Sequence, residues 1–219
     1  MPSKKQPKID PGELKATPEE EDFRGKYESG KLGQKLLDNY FSSVEQLVAK
    51  ANLQPGAKVV EIGCGEGLST KRIAKFLPPK VSLQASEYVE HLLPHARENN
   101  PGLKVTQESV YELEHKNKTF DLVLLLEVLE HLDYPDKALE EIKRTVKPGG
   151  YLMIGVPREP LWRGLNMARG SYLKDFGNTP GHLNHWSTTS LIKYATKHFG
   201  KVVAKKNPLP WTLILVKKD

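Results

Sequence analysis

Between residues 58 and 156, short apolar runs alternate with segments whose apolar positions recur at three and four, and this alternation restricts the fold more than any other feature. The runs at residues 58–62, 81–86, 103–107, 119–126 and 151–156 are predicted strands, and residues 68–76, 89–99 and 135–146 are predicted helices. A helix between successive strands returns the chain to the same end of the sheet, so the strands pair in parallel with right-handed crossovers. Residues 123–126 are Val-Leu-Leu-Leu, without the period-two alternation of a half-exposed strand, as expected when both faces are covered. The pattern predicts an α/β fold class with a doubly wound sheet.

The flanks extend this frame. In residues 31–52, Leu32, Leu36, Leu37, Tyr40, Phe41, Val44, Leu47 and Val48 share one face of a predicted first helix, which Pro55-Gly56 closes off. After Gly200, residues 201–204 and 211–216, joined across Asn207-Pro208-Leu209-Pro210, read as two antiparallel strands at the sheet edge. Residues 1–26 carry Pro, Lys and Glu but almost no large apolar side chains, so they are expected to form a flexible tail. A chain of 219 residues suffices for one α/β core. Residues 27–219 are therefore expected to be a single domain.

Composition excludes several classes. The longest apolar stretch, Leu122 to Leu126, falls far short of the roughly 20 residues of a membrane-spanning helix, so no membrane span is expected. The opening Met-Pro-Ser-Lys-Lys-Gln-Pro-Lys has no apolar core behind its lysines, and the expected location is cytoplasmic. Cys64 is the single cysteine, which fits a reducing compartment and excludes a Cys-rich zinc site. The net charge of +6 admits an anionic substrate or nucleic acid. No basic stripe interleaved with aromatics appears, which favours a small-molecule partner over nucleic acid. The sequence is silent on oligomeric state.

The strand at residues 58–62 runs directly into Gly63-Cys64-Gly65-Glu66-Gly67. Glycines here permit a sharp turn and close approach of a ligand, and the helix that follows aims its N–H groups into the same space. Glu87, twenty residues past Gly67, ends the next strand, where a carboxylate can accept from both hydroxyls of a ribose. Glu61 precedes the loop and would repel a pyrophosphate, whereas it suits the amino group of a bound amino acid.

With these features in place, Glu61-Ile62-Gly63-Cys64-Gly65-Glu66-Gly67 resembles the first motif of class I S-adenosylmethionine-dependent methyltransferases. The run Thr119-Phe120-Asp121 to Glu127-Val128-Leu129-Glu130-His131-Leu132 resembles that family's fourth strand and following loop, and Lys147-Pro148-Gly149-Gly150-Tyr151-Leu152 the turn before its fifth. The resemblance covers residues 55–157. It implies a Rossmann-like seven-stranded sheet, mostly parallel with an antiparallel C-terminal strand pair, and S-adenosylmethionine as cofactor. The cofactor set expected from loop and resemblance together is Glu61, Gly63, Gly65, Gly67, Glu87, Ser109, Val110 and Glu127. One departure stands out: Glu108-Ser109-Val110 replaces the Asp that many members carry before the adenine-contacting position.

Methyl transfer from a sulfonium needs alignment and exclusion of water, and a base only where the nucleophile carries a proton. Two constellations compete for the acceptor side. In the first, Glu127, Glu130 and His131, set on one side of a helical turn, hold a divalent metal, magnesium among the candidates, together with His182. This spacing is similar to that of metal-assisted quinone O-methyltransferases and small-RNA ribose 2'-O-methyltransferases. In the second, His182 or His185 is a general base, with His131 as the further candidate. Arg158 and Trp162 could form an anion-binding wall with an aromatic face. The insert at residues 157–187 is long and dense in Trp, Arg, Asn and His, and is assigned to the acceptor. A cofactor-binding accessory protein without turnover is the non-enzyme alternative.

Overall fold

The computed structural model describes residues 30–219, so the predicted tail over residues 1–26 lies outside the described residues. The elements are α1 (Lys31–Lys50), β1 (Lys58–Ile62), α2 (Leu68–Ile73), β2 (Ser82–Glu87), α3 (Leu93–Asn99), β3 (Lys104–Gln107), β4 (Phe120–Leu126), α4 (Pro135–Thr145), β5 (Val146–Pro157), α5 (Leu161–Ala168), α6 (Thr188–His198), β6 (Gly200–Lys206) and β7 (Trp211–Lys218). The sheet has seven strands in the order β3-β2-β1-β4-β5-β7-β6. Strands β1 to β5 pair in parallel, and β7 runs antiparallel to both β5 and β6. The strand order reverses between β1 and β4, which opens a crevice at their carboxyl ends.

The unalternating run in β4 is explained by its two covers. Leu122, Leu124 and Leu126 join α1 and Ile73 of α2 on one face; Val123 and Leu125 join Ala138, Leu139 and Ile142 of α4 and Leu191 and Ala195 of α6 on the other. All five are buried, and each contributes about 1.5–3 kcal/mol of hydrophobic stabilisation. Gly155 of β5 lies under α1: a Cβ there would fall 2.6 Å from the Tyr40 hydroxyl, so its small size brings Tyr40 to the sheet.

The structure departs from the sequence expectations at several places. The helix expected over residues 89–99 begins as a 3₁₀ turn, Glu90–Leu92, and becomes α-helical only at Leu93, where Pro94 sits in the first turn and needs no intrahelical N–H partner. The helix expected over 68–76 stops at Ile73. Strand β5 starts early at Val146, and Lys147-Pro148-Gly149-Gly150 is an excursion within it, between the pairs Phe120–Val146 and Leu122–Tyr151. Helices α5 and α6 had no counterpart in the reading. Ser187 caps α6 by accepting from the Ser190 N–H at 3.1 Å, and Ser190 Oγ accepts from the Ser187 N–H at 2.9 Å. With serine instead of Glu or Gln at the third position, this capping box leaves a weak sequence signal.

Candidate active site

A cavity of about 730 Å³ opens at the carboxyl ends of the parallel strands, within the roughly 300–1,000 Å³ range of small-molecule sites. Its floor is the loop after β1. Gly63, Gly65 and Gly67 all take left-handed φ values, of +73°, +55° and +77°. A Cβ on Gly63 would come within 2.5 Å of Val128 Cγ2, and one on Gly67 within 2.4 Å of Asn100 Nδ2 and 3.0 Å of the Ala96 backbone. Asn100 donates to the Gly67 carbonyl at 2.9 Å and Asn99 to that of Glu66 at 3.0 Å, so α3 clamps the turn. Gly63, Gly65, Glu87, Ser109, Val110 and Glu127 of the expected cofactor set line this cavity.

Glu87 is the hub. Its Oε2 accepts from the Gly65 N–H at 2.7 Å, and its Oε1 from the N–H groups of Tyr88 and Val89 at 2.8 and 2.9 Å. A carboxylate offers about four acceptor positions, so a ribose would share Oε2 with Gly65. Two other expected contacts are corrected. Glu61 is 1% exposed, accepts from the Thr70 hydroxyl of α2 and does not line the cavity. Burial raises its pKa to about 7 against the opposing hydrogen bonds from Ser69 and Thr70, so its proton and its position favour holding α2 against β1 over meeting a ligand amine. Gly67 lies behind the wall, under Asn100, and shapes the loop instead of touching its contents.

Glu108, the departure at the end of β3, lines the cavity but is turned to its own side. It accepts from the Thr106 hydroxyl at 2.6 Å and pairs with His115 at 3.1 Å. Burial works to raise its pKa, but the bonds from His115 and Thr106 outweigh it, and the carboxyl ends below its ordinary value.

On the acceptor side, Glu127 separates from the residues it was grouped with. It has φ +58°, and its Oε2 accepts from Trp211 Nε1 at 2.8 Å. The turn Leu129–His131 that follows is 3₁₀, so the helical spacing that would gather Glu127, Glu130 and His131 does not apply. Glu130, His131 and His182, all buried, do come together, each with one ligand-type atom within 4.8 Å of the others. His131 faces the cavity and its Nδ1 lies 3.1 Å from the Gly181 carbonyl. A carbonyl only accepts, so Nδ1 carries the hydrogen and Nε2 is the basic nitrogen of the neutral ring. His182 sits behind it, the two rings edge to face at 4.8 Å.

The remaining candidates divide. Trp162 lines the cavity and donates from Nε1 to Thr179 Oγ1 at 2.9 Å. His185 is exposed and outside the lining; Arg163 donates to its Nε2 at 2.8 Å, and burial together with that guanidinium lowers its pKa. Arg158 also falls outside, its N–H donating to Pro210 and its carbonyl accepting from Trp162. The arginine in the wall is Arg169 instead, and with it Tyr40, Trp211 and Asp133 were not anticipated. Tyr40, Trp211 and Trp162 form a continuous aromatic row, with ring centroids 5.0 and 6.1 Å apart. Glu66, Glu87, Glu108, Glu127 and Asp133 outnumber Arg169 in the lining, which favours a ligand with positive charge such as a sulfonium.

Comparison with known proteins agrees with this geometry. Residues 60–154 match the family model of the methyltransferase domain. A ubiquinone/menaquinone biosynthesis C-methyltransferase, UbiE, of Cupriavidus pinatubonensis is 32% identical over 130 residues, 57% of this chain and 53% of that protein. An uncharacterized 37.1 kDa protein in transposon TN4556 of Streptomyces fradiae is 29% identical over 117 residues, 52% of this chain and 33% of its own. The chain thus spans about half or less of the length of these curated relatives. Among solved structures, the complex of the Haloferax volcanii Trm112 methyltransferase activator with a methyltransferase superposes with TM-score 0.66 at 15% identity, covering 84% of this chain and 92% of that one. A SAM-dependent methyltransferase from Aquifex aeolicus gives 0.61 at 19%, covering 80% and 89%. The described chain therefore has the fold of these methyltransferase structures, and residues 60–154 are similar to the methyltransferase domain family.

Proposed function

We propose that this chain is a cytoplasmic enzyme that transfers a methyl group from S-adenosylmethionine to an oxygen or nitrogen of a small-molecule acceptor, with residues 27–219 as the catalytic domain. The observation that carries the reading is one cavity whose lining holds Gly63, Gly65, Glu87, Ser109 and Val110 together with Glu127, His131 and Trp162. The first group is assigned to the cofactor, with Glu61 and Gly67 supporting the loop from behind. The second is assigned to the acceptor, with residues 157–187 as the wall over it. His131, through Nε2, is the candidate to take a proton from the acceptor as the methyl group arrives, and His182 positions its ring. The aromatic row of Tyr40, Trp211 and Trp162 limits the water that would compete for the sulfonium. The UbiE relative is a C-methyltransferase by name, so the acceptor atom is the finer part of the reading.

The test is transfer of labelled methyl groups from S-adenosylmethionine into fractionated metabolites and RNA. Label in small molecules, reduced at least about 100-fold by His131→Ala, supports it; label confined to RNA points to ribose methylation, and tight cofactor binding without transfer to any fraction points to an accessory protein.

A second reading rests on the buried Glu130, His131 and His182. One carboxylate and two imidazoles fit a divalent transition metal better than magnesium, which prefers oxygen ligands. The His131 Nδ1–H to a backbone carbonyl is the outer-shell bond that metal-ligating histidines use. Metal content of the purified protein, compared with Glu130→Ala, decides it independently of activity: no metal above trace in the wild type removes this reading.

A further inference from the structure

Among the described residues, six of the ten large apolar side chains left exposed lie on one segment beside the cavity. Leu165, Met167, Tyr172, Leu173, Phe176 and Leu183 are all at least 36% exposed, with Leu173 at 59% and Phe176 at 76%. The periodicity of α5 accounts for part of this. Trp162, Asn166 and Arg169, at i, i+4 and i+7, face the cavity, which turns Met167 away from it, while Leu165 stands at the edge of that face and outside the lining. Beyond the helix, Leu173–Asp175 forms a single 3₁₀ turn flanked by Tyr172 and Phe176, both left-handed at φ +53° and +51°. Bulky side chains rarely adopt that conformation, and here it projects Leu173 and Phe176 outward.

The segment is tied down. Asn166, 1% exposed, donates to the Gly177 carbonyl at 2.8 Å and to Thr179 Oγ1 at 3.2 Å; the Ser171 N–H donates to the Asn166 carbonyl at 2.9 Å, and the Gly177 N–H to that of Tyr172 at 2.8 Å. A Cβ on Gly177 would fall 2.3 Å from the Arg163 carbonyl, so the loop returns flush against α5. The polar groups are satisfied inward while the apolar ones are held outward, which is the arrangement of an interaction surface.

The surface is continuous with the mouth of the cavity. Tyr172 and Arg169 line the cavity and are themselves exposed. Gly33 and Leu36 of α1 line the same cavity, next to Leu32 at 74% exposure. Exposed cations stand on both segments, Arg169 and Lys174 on one and Lys31 and Lys35 on the other, with Asp175 as the acid on the projecting turn and Glu66 and Asp133 as part-buried acids of the lining. Aromatic and aliphatic tips ringed by Lys and Arg match the apolar and anionic layers of a phospholipid surface. A protein partner seated here would close the mouth, whereas a bilayer leaves it facing the layer from which an amphiphilic molecule can enter. No helix among the described residues is long and apolar enough to cross a membrane, so such docking is peripheral.

We propose that residues 161–183 dock the mouth of the cavity onto an anionic phospholipid bilayer through Leu173 and Phe176; its use in delivering an acceptor rests on the methyltransferase reading, while the docking does not. The experiment is flotation of the full chain with vesicles of phosphatidylcholine alone and of phosphatidylcholine with phosphatidylglycerol, alongside the double variant Leu173→Ser, Phe176→Ser. The wild type is expected to float with the anionic vesicles, less so as salt is raised, and the variant to partition at least about 30-fold more weakly. Because both side chains are exposed, the variant is expected to keep wild-type S-adenosylhomocysteine binding, which reports an intact fold. Failure of the wild type to float, or equal flotation of the variant, overturns the proposal, as does a dimer in sedimentation velocity that depends on these two residues without vesicle binding. Vesicle binding that depends on Leu173 and Phe176 in a chain that binds no S-adenosylhomocysteine upholds the docking and sinks the methyltransferase reading instead.

Discussion

Replacing Glu87 with glutamine separates the two duties of this carboxylate. Its Oε1 takes two backbone N–H groups, from Tyr88 and Val89, and its Oε2 takes the Gly65 N–H of the glycine loop. Glutamine has one acceptor oxygen. The favoured arrangement keeps that oxygen on Tyr88 and Val89 and turns the amide NH₂ towards Gly65, where donor meets donor. One charge-assisted bond is lost inside the protein, and the acceptor that a ribose hydroxyl would use on Oε2 becomes a donor. A bond to a charged group contributes about 1.5–3 kcal/mol, so losing one from the complex raises the dissociation constant by about 10- to 150-fold. Folding stability should fall by about 1–3 kcal/mol, since the Gly65 N–H loses its partner. Calorimetric titration with S-adenosylhomocysteine gives the first number and urea unfolding the second. A dissociation constant within about 2-fold of wild type, in a variant whose stability has dropped as expected, would show that Glu87 holds the loop and does not touch the ligand.

Three further outcomes follow from the same geometry. Gly67→Ala places a Cβ against Asn100 and the Ala96 backbone at a left-handed φ; the mutant should lose about 2–4 kcal/mol in urea unfolding, and a loss under about 0.5 kcal/mol would mean that α3 yields freely. Glu61 has its pKa raised from 4.5 to about 7, chiefly by burial, so the protonated form is favoured in the folded state. Its stabilising contribution is complete below about pH 4.5 and is lost as pH rises through about 7, and Glu61→Gln should be more stable than wild type by up to about 3 kcal/mol at pH 8 but not at pH 4.5; an equal difference at both pH values contradicts the assignment. His185→Ala should leave methyl transfer within about 3-fold of wild type while His131→Ala lowers it at least about 100-fold, because only His131 faces the cavity; the opposite ranking would relocate the base.

The sheet and the glycine-loop floor of the cavity were legible because their signals are local. Val59, Val60 and Ile62 mark β1, the run that becomes β4 is apolar except at Asp121, and Gly63, Gly65 and Gly67 sit where the backbone must turn left-handed. The acceptor side was less legible because tertiary packing assembles it. Tyr40 comes from α1, Trp211 from β7 and Arg169 from just past α5, and no spacing in the chain connects them. Arg158 was favoured by its place directly after β5, yet its backbone is tied to Pro210 and Trp162 while its side chain stays out of the wall. The Glu127–Glu130–His131 grouping assumed a helix, and one left-handed residue turned Glu127 to Trp211 instead. His182, grouped with Glu130 and His131 in the sequence, is brought beside them by the backbone bonds from Leu183 and Asn184 to the Glu130 carbonyl.

The central claim is that the loop from Glu61 to Gly67 and the carboxylate of Glu87 form a pocket for S-adenosylmethionine and not for a dinucleotide. Parallel calorimetric titrations of the full chain with S-adenosylhomocysteine and with NAD test it most directly. Saturable binding of S-adenosylhomocysteine at one site per chain, with no heat from NAD, is the expected result. Binding of NAD alone would contradict the account.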